Sequence, residues 1–186
     1  FPSCTSKVYT GSSQTLFDAH TSGTYTNSAI SGTNVGDYEG SLTPSANYQW
    51  NSGSSVTSAR TLTCSITKSD TTTTASAVST NYTGSAISGN GSAKLNSNNS
   101  AISGAAFTYT YYNGSSCSGT ALSGAPTNWR DGGYSYKATL TGTSNYNTST
   151  SSCATLTINK IANPMTFTTP QNGSVTFSTS AQNKSF

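Results

Sequence analysis

The sequence predicts an all-β protein made of antiparallel β-sandwiches. Apolar and polar residues alternate with a period of two in several short segments, whereas the three- and four-residue spacing of an amphipathic helix is nearly absent. Turn-forming dipeptides such as NG, SG and GG separate these segments. Thr, Val and Tyr, which favour strands, are abundant. Short strands with one apolar side are typical of sandwiches.

Four segments carry the alternation most clearly. Each places its larger or apolar side chains at every second position, so one face of the strand is expected to point to a core. In chain order the predicted inward faces are Leu62, Cys64 and Ile66 in RTLTCSIT, Phe107, Tyr109 and Tyr111 in FTYTYY, Tyr134, Tyr136, Ala138 and Leu140 in GYSYKATLTG, and Ala154, Leu156 and Ile158 in ATLTI.

Composition excludes several classes of function. Charged residues make up 7% of the chain and the formal net charge is +3, with no run of Lys or Arg. Nucleic-acid binding requires a concentrated basic face, so we do not expect it. No apolar stretch approaches the length of a membrane span. Aromatic residues make up 10% of the chain, which argues against disorder despite the many Ser, Thr and Asn residues.

Five sequence elements occur twice in the same order, which predicts tandem modules. They are Y-T-G-S, T-N-x-x-D, a Tyr that opens a strand, L-T-x-x-x-N-Y and a terminal I-x-K. The two copies assign one module to residues 1–68 and a second to residues 69–160. Residues 161–186 are predicted to hold the first strands of a third module, including Val175–Phe177, or a strand that pairs with a neighbour.

The cysteines match the module boundaries. Cys4 and Cys64 lie in the first module, and Cys117 and Cys153 lie in the second. Pairing within each module gives Cys4–Cys64 and Cys117–Cys153, which is one of three connectivities that four cysteines allow. Cys153 is out of phase with the inward residues of its strand, so the second bridge is expected nearer the surface. Disulfides indicate an oxidising, extracellular setting.

Residues 81–165 resemble the bacterial immunoglobulin-like repeats of the MBG and Big type. The resemblance depends on NYTGSAISG, FTYTYYNGSSC, GAPTNWRDGGYSYKATLTGTSNYNTSTSSCATLTINK and IANPM. Where such repeats typically carry Asn-Ala-Gly-x-Tyr, this chain has Trp129-Arg130-Asp131-Gly132-Gly133-Tyr134. The resemblance implies tandem immunoglobulin-like sandwiches at a bacterial cell surface, in a spacer or adhesive role and without catalytic residues.

The residues that carry chemistry are few. The single His20 lies beside Asp18, but a catalytic base also needs a nucleophile, and a zinc site needs more ligands. Asp37 and Glu39 share one strand and do not face each other across a cleft, as glycosidase carboxylates do. Lys68 and Lys160 are candidates for isopeptide crosslinks, although solvated lysines are the simpler interpretation. We therefore expect no enzyme activity, metal site or cofactor.

Aromatic residues near turns supply a binding hypothesis. Trp50, Trp129, Tyr112 and Tyr146 lie in or near predicted turns, where a ring can stack on a sugar or can cap a core. The sequence thus favours a structural or adhesive spacer whose partners are the neighbouring repeats. Two alternatives remain open: a module that binds a glycan or host protein, and a filament subunit that assembles by strand addition through residues 161–186.

Overall fold

The structure, a computed structural model, describes residues 1–51 and 55–162. Every regular element in those residues is a β-strand, which confirms the all-β prediction. The strands are β1 (Lys7–Val8), β2 (Gln14–Phe17), β3 (Tyr25–Thr26), β4 (Ile30–Gly32), β5 (Gly36–Pro44), β6 (Trp50–Asn51), β7 (Ser55–Val56), β8 (Arg60–Thr67), β9 (Thr71–Ala75), β10 (Val78–Asn81), β11 (Gly91–Leu95), β12 (Phe107–Asn113), β13 (Tyr134–Leu140), β14 (Ser149–Thr150) and β15 (Ala154–Asn159).

Residues 1–68, here called the N-terminal unit, form a sheet of four strands and two smaller strand pairs. The sheet order is β1-β8-β5-β3, and β2 pairs with β4 while β6 pairs with β7. Leu16 of β2 and Ile30 of β4 pack against Leu42, Leu62 and Ile66 of the sheet. The β2–β4 pair therefore forms a second layer that closes the core of this unit.

Residues 69–160, the C-terminal unit, form a similar main sheet with a core of their own. The sheet order is β10-β15-β13-β12, with β14 on the end of β13, and β9 pairs with β11 as a separate ribbon. Tyr111, Tyr136 and Leu156 are buried at the centre of the core. Gly91 of β11 lies against Ala138 of β13, so the ribbon packs over the sheet.

The predicted strand faces of β8 and β15 are confirmed. Leu62, Cys64 and Ile66 are buried on β8, and every second residue of β15 from Ala154 to Ile158 is buried as well. These strands expose the Thr residues that alternate with the apolar ones. Side chains of a strand point to opposite faces in turn, so one-sided burial follows directly from the alternation.

The prediction that all strands are antiparallel is wrong for one pair in each unit. Strand β1 runs parallel to β8, with Lys7 opposite Ile66, and β10 runs parallel to β15, with Val78 opposite Leu156. A parallel pair needs a long connection between its strands. The first and last strands of a unit satisfy this condition because the whole unit lies between them.

Both disulfides are the predicted pairs. Cys4 is joined to Cys64 and Cys117 to Cys153. Cys64 is buried in the core of its unit, whereas Cys153 is exposed, so the second bridge lies nearer the surface as the phase of Cys153 predicts. The third segment predicted from the sequence, residues 161–186, lies outside the described residues from position 163 onward.

Candidate functional site

The repeated Y-T-G-S element forms the same turn in both units. The backbone N–H of Tyr9 donates to the carbonyl of Thr67 at 2.9 Å, and that of Tyr82 donates to Asn159 at 2.9 Å. The glycine that follows has a positive φ in both copies, 81° at Gly11 and 78° at Gly84. A left-handed residue is most easily supplied by glycine, so the turn explains why the element keeps its glycine.

The T-N-x-x-D element and the tyrosine after it are also built alike. The hydroxyl of Tyr38 donates to the carbonyl of Asn34 at 2.7 Å. The hydroxyl of Tyr134 donates to the carbonyl of Asn128 at 2.9 Å. Each tyrosine thereby fixes the loop that precedes its strand. The repeat thus extends from the sequence to individual hydrogen bonds.

These elements meet at one end of the N-terminal unit and contact the C-terminal unit there. We call this patch the receiving surface; it consists of residues 9–12, Asn34, Val35 and Lys68. The loops of the C-terminal unit that contact it, residues 96–100 and 141–147, are called the docking loops. The junction between the two units is the candidate functional site.

Asn145 makes the most specific contact of the junction. Its side-chain oxygen accepts the backbone N–H of Val35 at 2.9 Å, and its side-chain nitrogen donates to the side-chain oxygen of Asn34 at 3.1 Å. The ammonium group of Lys68 donates to the carbonyl of Thr143 at 2.8 Å in the same docking loop. The Asn145 side chain therefore pairs with both a hydrogen-bond donor and an acceptor on the receiving surface.

The docking loop at residues 96–100 is hydrogen-bonded to the Y-T-G-S turn of the N-terminal unit. The hydroxyl of Ser97 donates to the carbonyl of Tyr9 at 2.6 Å, and the side-chain nitrogen of Asn98 donates to the carbonyl of Thr10 at 2.9 Å. The units are consequently linked through both docking loops as well as through their covalent connection.

The connection between the units is itself buried. Ser69 is 0% exposed. Its backbone N–H donates to the carbonyl of Asn145 at 3.2 Å, and its carbonyl accepts the N–H of Asn147 at 2.9 Å. A flexible linker would leave its backbone in water, whereas this one is paired as a strand would be. The connection therefore adds to the rigidity of the junction.

A cleft of about 330 Å³ opens beside the junction. Tyr9, Thr10, Leu95, Ile102 and Tyr146 are among the residues of both units that line it. Among the described residues that line it, hydroxyl groups are combined with a few apolar side chains, and none is Lys, Arg, Asp or Glu.

The structure separates the four aromatic residues predicted as ligand contacts. Trp50 is 8% exposed, packs on the rings of Phe1 and Tyr25, and donates its indole N–H to the carbonyl of Ser58. Tyr112 is half-buried on β12, and Tyr146 is half-buried at the junction.

Trp129 is the one of the four that presents a large exposed ring, with 45% of its surface accessible. The ammonium group of Lys160 lies 3.8 Å from the centre of the Trp129 ring, in a cation–π contact. The four aromatic residues thus do not converge on one site.

The remaining candidates for chemistry are held by ordinary contacts. A ring nitrogen of His20 lies 3.1 Å from the backbone carbonyl of Asp18, and the His20 ring packs near Phe17 and Tyr25. Within residues 1–51 and 55–162, no three His, Cys, Asp or Glu side chains are close enough together to hold a metal ion. Burial raises the pKa of Tyr109, and the nearby Tyr136 and Tyr111 add to the effect.

The residues that form the junction were not singled out from the sequence, although the signal was present. Asn145 belongs to L-T-x-x-x-N-Y, Asn34 to T-N-x-x-D and Lys68 to I-x-K. These elements recur because they form the ends of the units rather than the cores. Recurrence of polar loop residues is the pattern that would have marked these loops as candidates, although it does not show that they meet at the junction.

Comparison of the chain with models of protein families, with curated proteins and with solved structures found no significant match. Among the described residues, no helix has both the length and the apolar character needed to cross a membrane.

Proposed function

We propose that this chain is a non-enzymatic spacer or adhesive repeat segment of a bacterial extracellular surface protein, built from tandem immunoglobulin-like β-sandwich modules. The junction carries the proposal: Asn145, Lys68 and the buried Ser69 join two similar units without a free linker. A chain of units joined in this way spans distance because its length does not collapse by bending at the connections.

The chemistry of the surface supports the same role. Two disulfides stabilise the units and are typical of proteins exposed to oxidising conditions. The chain has eight Lys and Arg residues, so trypsin-like proteases find few cleavage sites. These properties suit a segment that has to persist outside a cell.

The rigidity of the junction is the property to measure. Spin labels on non-canonical amino acids at Thr61 and Thr108, which are exposed, would leave the four cysteines paired. Pulsed dipolar spectroscopy of the full chain should give one narrow distance distribution. The double variant Lys68→Ala/Asn145→Ala should broaden it, because the three side-chain hydrogen bonds between one docking loop and the receiving surface are removed. A broad distribution in the unaltered protein would contradict the spacer function.

Binding of a glycan or host protein remains the alternative, and Trp129 is the observation that favours it. Its ring is exposed beside a cleft of about 400 Å³ that also includes Ser115 and Tyr134. Glycan-array binding that is lost in Trp129→Ala, with the fold retained, would support this alternative. The filament hypothesis depends on residues 161–186, most of which lie outside the described residues.

A further inference from the structure

The C-terminal unit carries its own copy of the receiving surface. In the N-terminal unit that surface consists of the Y-T-G-S turn at 9–12, the pair Asn34–Val35 and the terminal Lys68. The corresponding residues of the C-terminal unit are the Y-T-G-S turn at 82–85, the pair Asn128–Trp129 and Lys160. Two of the hydrogen bonds that hold these elements in place occur in both units: the N–H of the Y-T-G-S tyrosine donates to the last strand, and the later tyrosine donates to the carbonyl of its Asn. Of the corresponding residues, only Val35 and Trp129 differ.

The two surfaces differ in what covers them. Tyr9 and Thr10 are half-buried: the docking loop at 96–100 donates hydrogen bonds to both of their carbonyls, and Tyr9 also packs on the core of its own unit. Their counterparts Tyr82 and Thr83 are exposed, Tyr82 to 39%. Together with Trp129 and Ile161, Tyr82 gives this end three exposed large apolar side chains. A cluster of this kind on a small polar protein marks an interaction surface.

The opposite end of the molecule carries the matching loop. The element L-T-x-x-x-N-Y supplies Asn145 and Tyr146 to the junction and supplies Asn47 and Tyr48 to the N-terminal unit. Tyr146 is half-buried at the junction, whereas Tyr48 is 51% exposed. Each unit therefore has a docking loop at one end and a receiving surface at the other. Such a head-to-tail arrangement can be repeated from one unit to the next along a chain.

We infer that the end formed by residues 82–85, Asn128, Trp129 and Lys160 is a docking site for a further unit of the same kind, joined after Lys160. This inference rests on the proposed function and names the partner of that surface. The occupied surface of the N-terminal unit shows how the further unit would bind. An asparagine of the docking loop is hydrogen-bonded to the Asn-Val pair, and a carbonyl of the same loop accepts a hydrogen bond from the terminal lysine.

The small number of contacts explains why the partner is a tethered unit and not a free second copy. The junction depends on a few side-chain hydrogen bonds, each of which contributes little net free energy. Free association of two separate molecules also has to offset the loss of translational and rotational freedom. A short covalent connection makes the association intramolecular, so most of that loss does not have to be offset by the contacts.

The direct test uses the full chain with a second copy of residues 69–160 inserted directly after Lys160. Formation of the third disulfide and dispersed amide signals would show that the added unit is folded. Spin labels on the second and third units should give a distribution of inter-label distances as narrow as that between labels on the first and second units. Replacing the added copy of Asn145 with alanine should broaden only the second–third distribution. Asn47→Ala, at the far end of the chain, is the matched control and should change neither.

A second variant tests the surface without an added unit. Val35→Trp gives the receiving surface of the N-terminal unit the same residues as that of the C-terminal unit. If the two receiving surfaces are equivalent, the distribution of distances between labels on the first and second units stays narrow in the folded Val35→Trp protein. Broadening in that folded protein would overturn the inference.

The outcomes separate the inference from the proposed function. If the distance distribution is narrow between the first and second units but broad between the second and third, the docking site is overturned and the spacer function stands. Broad distributions at both positions overturn both. Glycan binding that depends on Trp129, together with a broad second–third distribution, would assign this end to a ligand instead.

Discussion

Replacing Asn145 with alanine should loosen the junction while leaving both cores intact. The side chain makes two hydrogen bonds, one to the half-buried N–H of Val35 and one to the side chain of Asn34. Each contributes about 1 kcal/mol net, so the loss is about 2 kcal/mol, equivalent to a roughly 30-fold change in the equilibrium constant for opening.

Native-state hydrogen exchange measures that opening residue by residue. The Val35 amide loses its acceptor directly and should exchange much faster. The amides of Ser69 and Asn147 keep their own acceptors, so they report on the junction as a whole and should exchange up to about 30-fold faster. The Leu156 amide, in the core of the C-terminal unit, should not change.

Asn47→Ala is the control for this experiment, because Asn47 occupies the same place in the repeated element at the opposite end of the molecule. It should leave the exchange of Val35, Ser69 and Asn147 unaltered. If Asn145→Ala also leaves the Val35 amide protected, the junction is not held by this side chain and the reasoning fails.

Three further predictions concern the C-terminal unit. Replacing Cys117 and Cys153 with alanine opens a bridge between positions 36 apart and should reduce the free energy of unfolding in urea by about 4 kcal/mol; an unchanged midpoint would refute this. Burial raises the pKa of Tyr109, so its stabilising contribution is present below the unfolded pKa of about 10 and is lost as the pH rises through the folded value; Tyr109→Phe should flatten the alkaline decline in melting temperature, and an equally steep decline would argue against it. In Gly89→Ala the new Cβ would clash with the ring of Tyr136, which predicts that the free energy of unfolding falls by about 1–3 kcal/mol. The control Gly124→Ala, with open space around it, should leave the free energy of unfolding unchanged.

The strand faces could be predicted because the alternation of residues has a direct structural meaning. Leu62, Cys64 and Ile66 are two positions apart, and a strand turns every second side chain to the same side. The disulfide pairing followed from the division of the chain into two repeats. Both inferences use relations within one unit, where sequence order and spatial order agree.

The parallel pairs and the position of Trp50 could not be obtained in this way. Whether β1 runs parallel or antiparallel to β8 depends on how the intervening strands cross, which no local pattern encodes. Trp50 follows a turn and therefore looked accessible, yet β6 turns its ring onto the core beside Tyr25. Both features depend on which elements are neighbours in space.

The junction escaped prediction for a related reason. Asn34 and Asn145 are hydrogen-bonded although they are separated by most of the chain, and each looks like an ordinary polar loop residue. The repeat showed that their loops recur but not at which end of a unit they lie. Only the three-dimensional arrangement reveals that T-N-x-x-D and L-T-x-x-x-N-Y occupy opposite ends, so that one copy of each meets in the middle.

The chemistry of the junction also determines how it should respond to salt. Asn34, Val35, Ser97, Asn98 and Asn145 contribute neutral amide, hydroxyl and backbone groups, and Lys68 is the one charged side chain whose hydrogen bond crosses the described junction. Its acceptor is a carbonyl and not a carboxylate. Raising the ionic strength from 0.1 M to 1 M shortens the screening length from about 10 Å to about 3 Å, which weakens ion pairs far more than neutral hydrogen bonds. The distance distribution between the two units should therefore be the same at both salt concentrations. Broadening at 1 M would show that long-range charge attraction, rather than the pairing of neutral groups, holds the units in line.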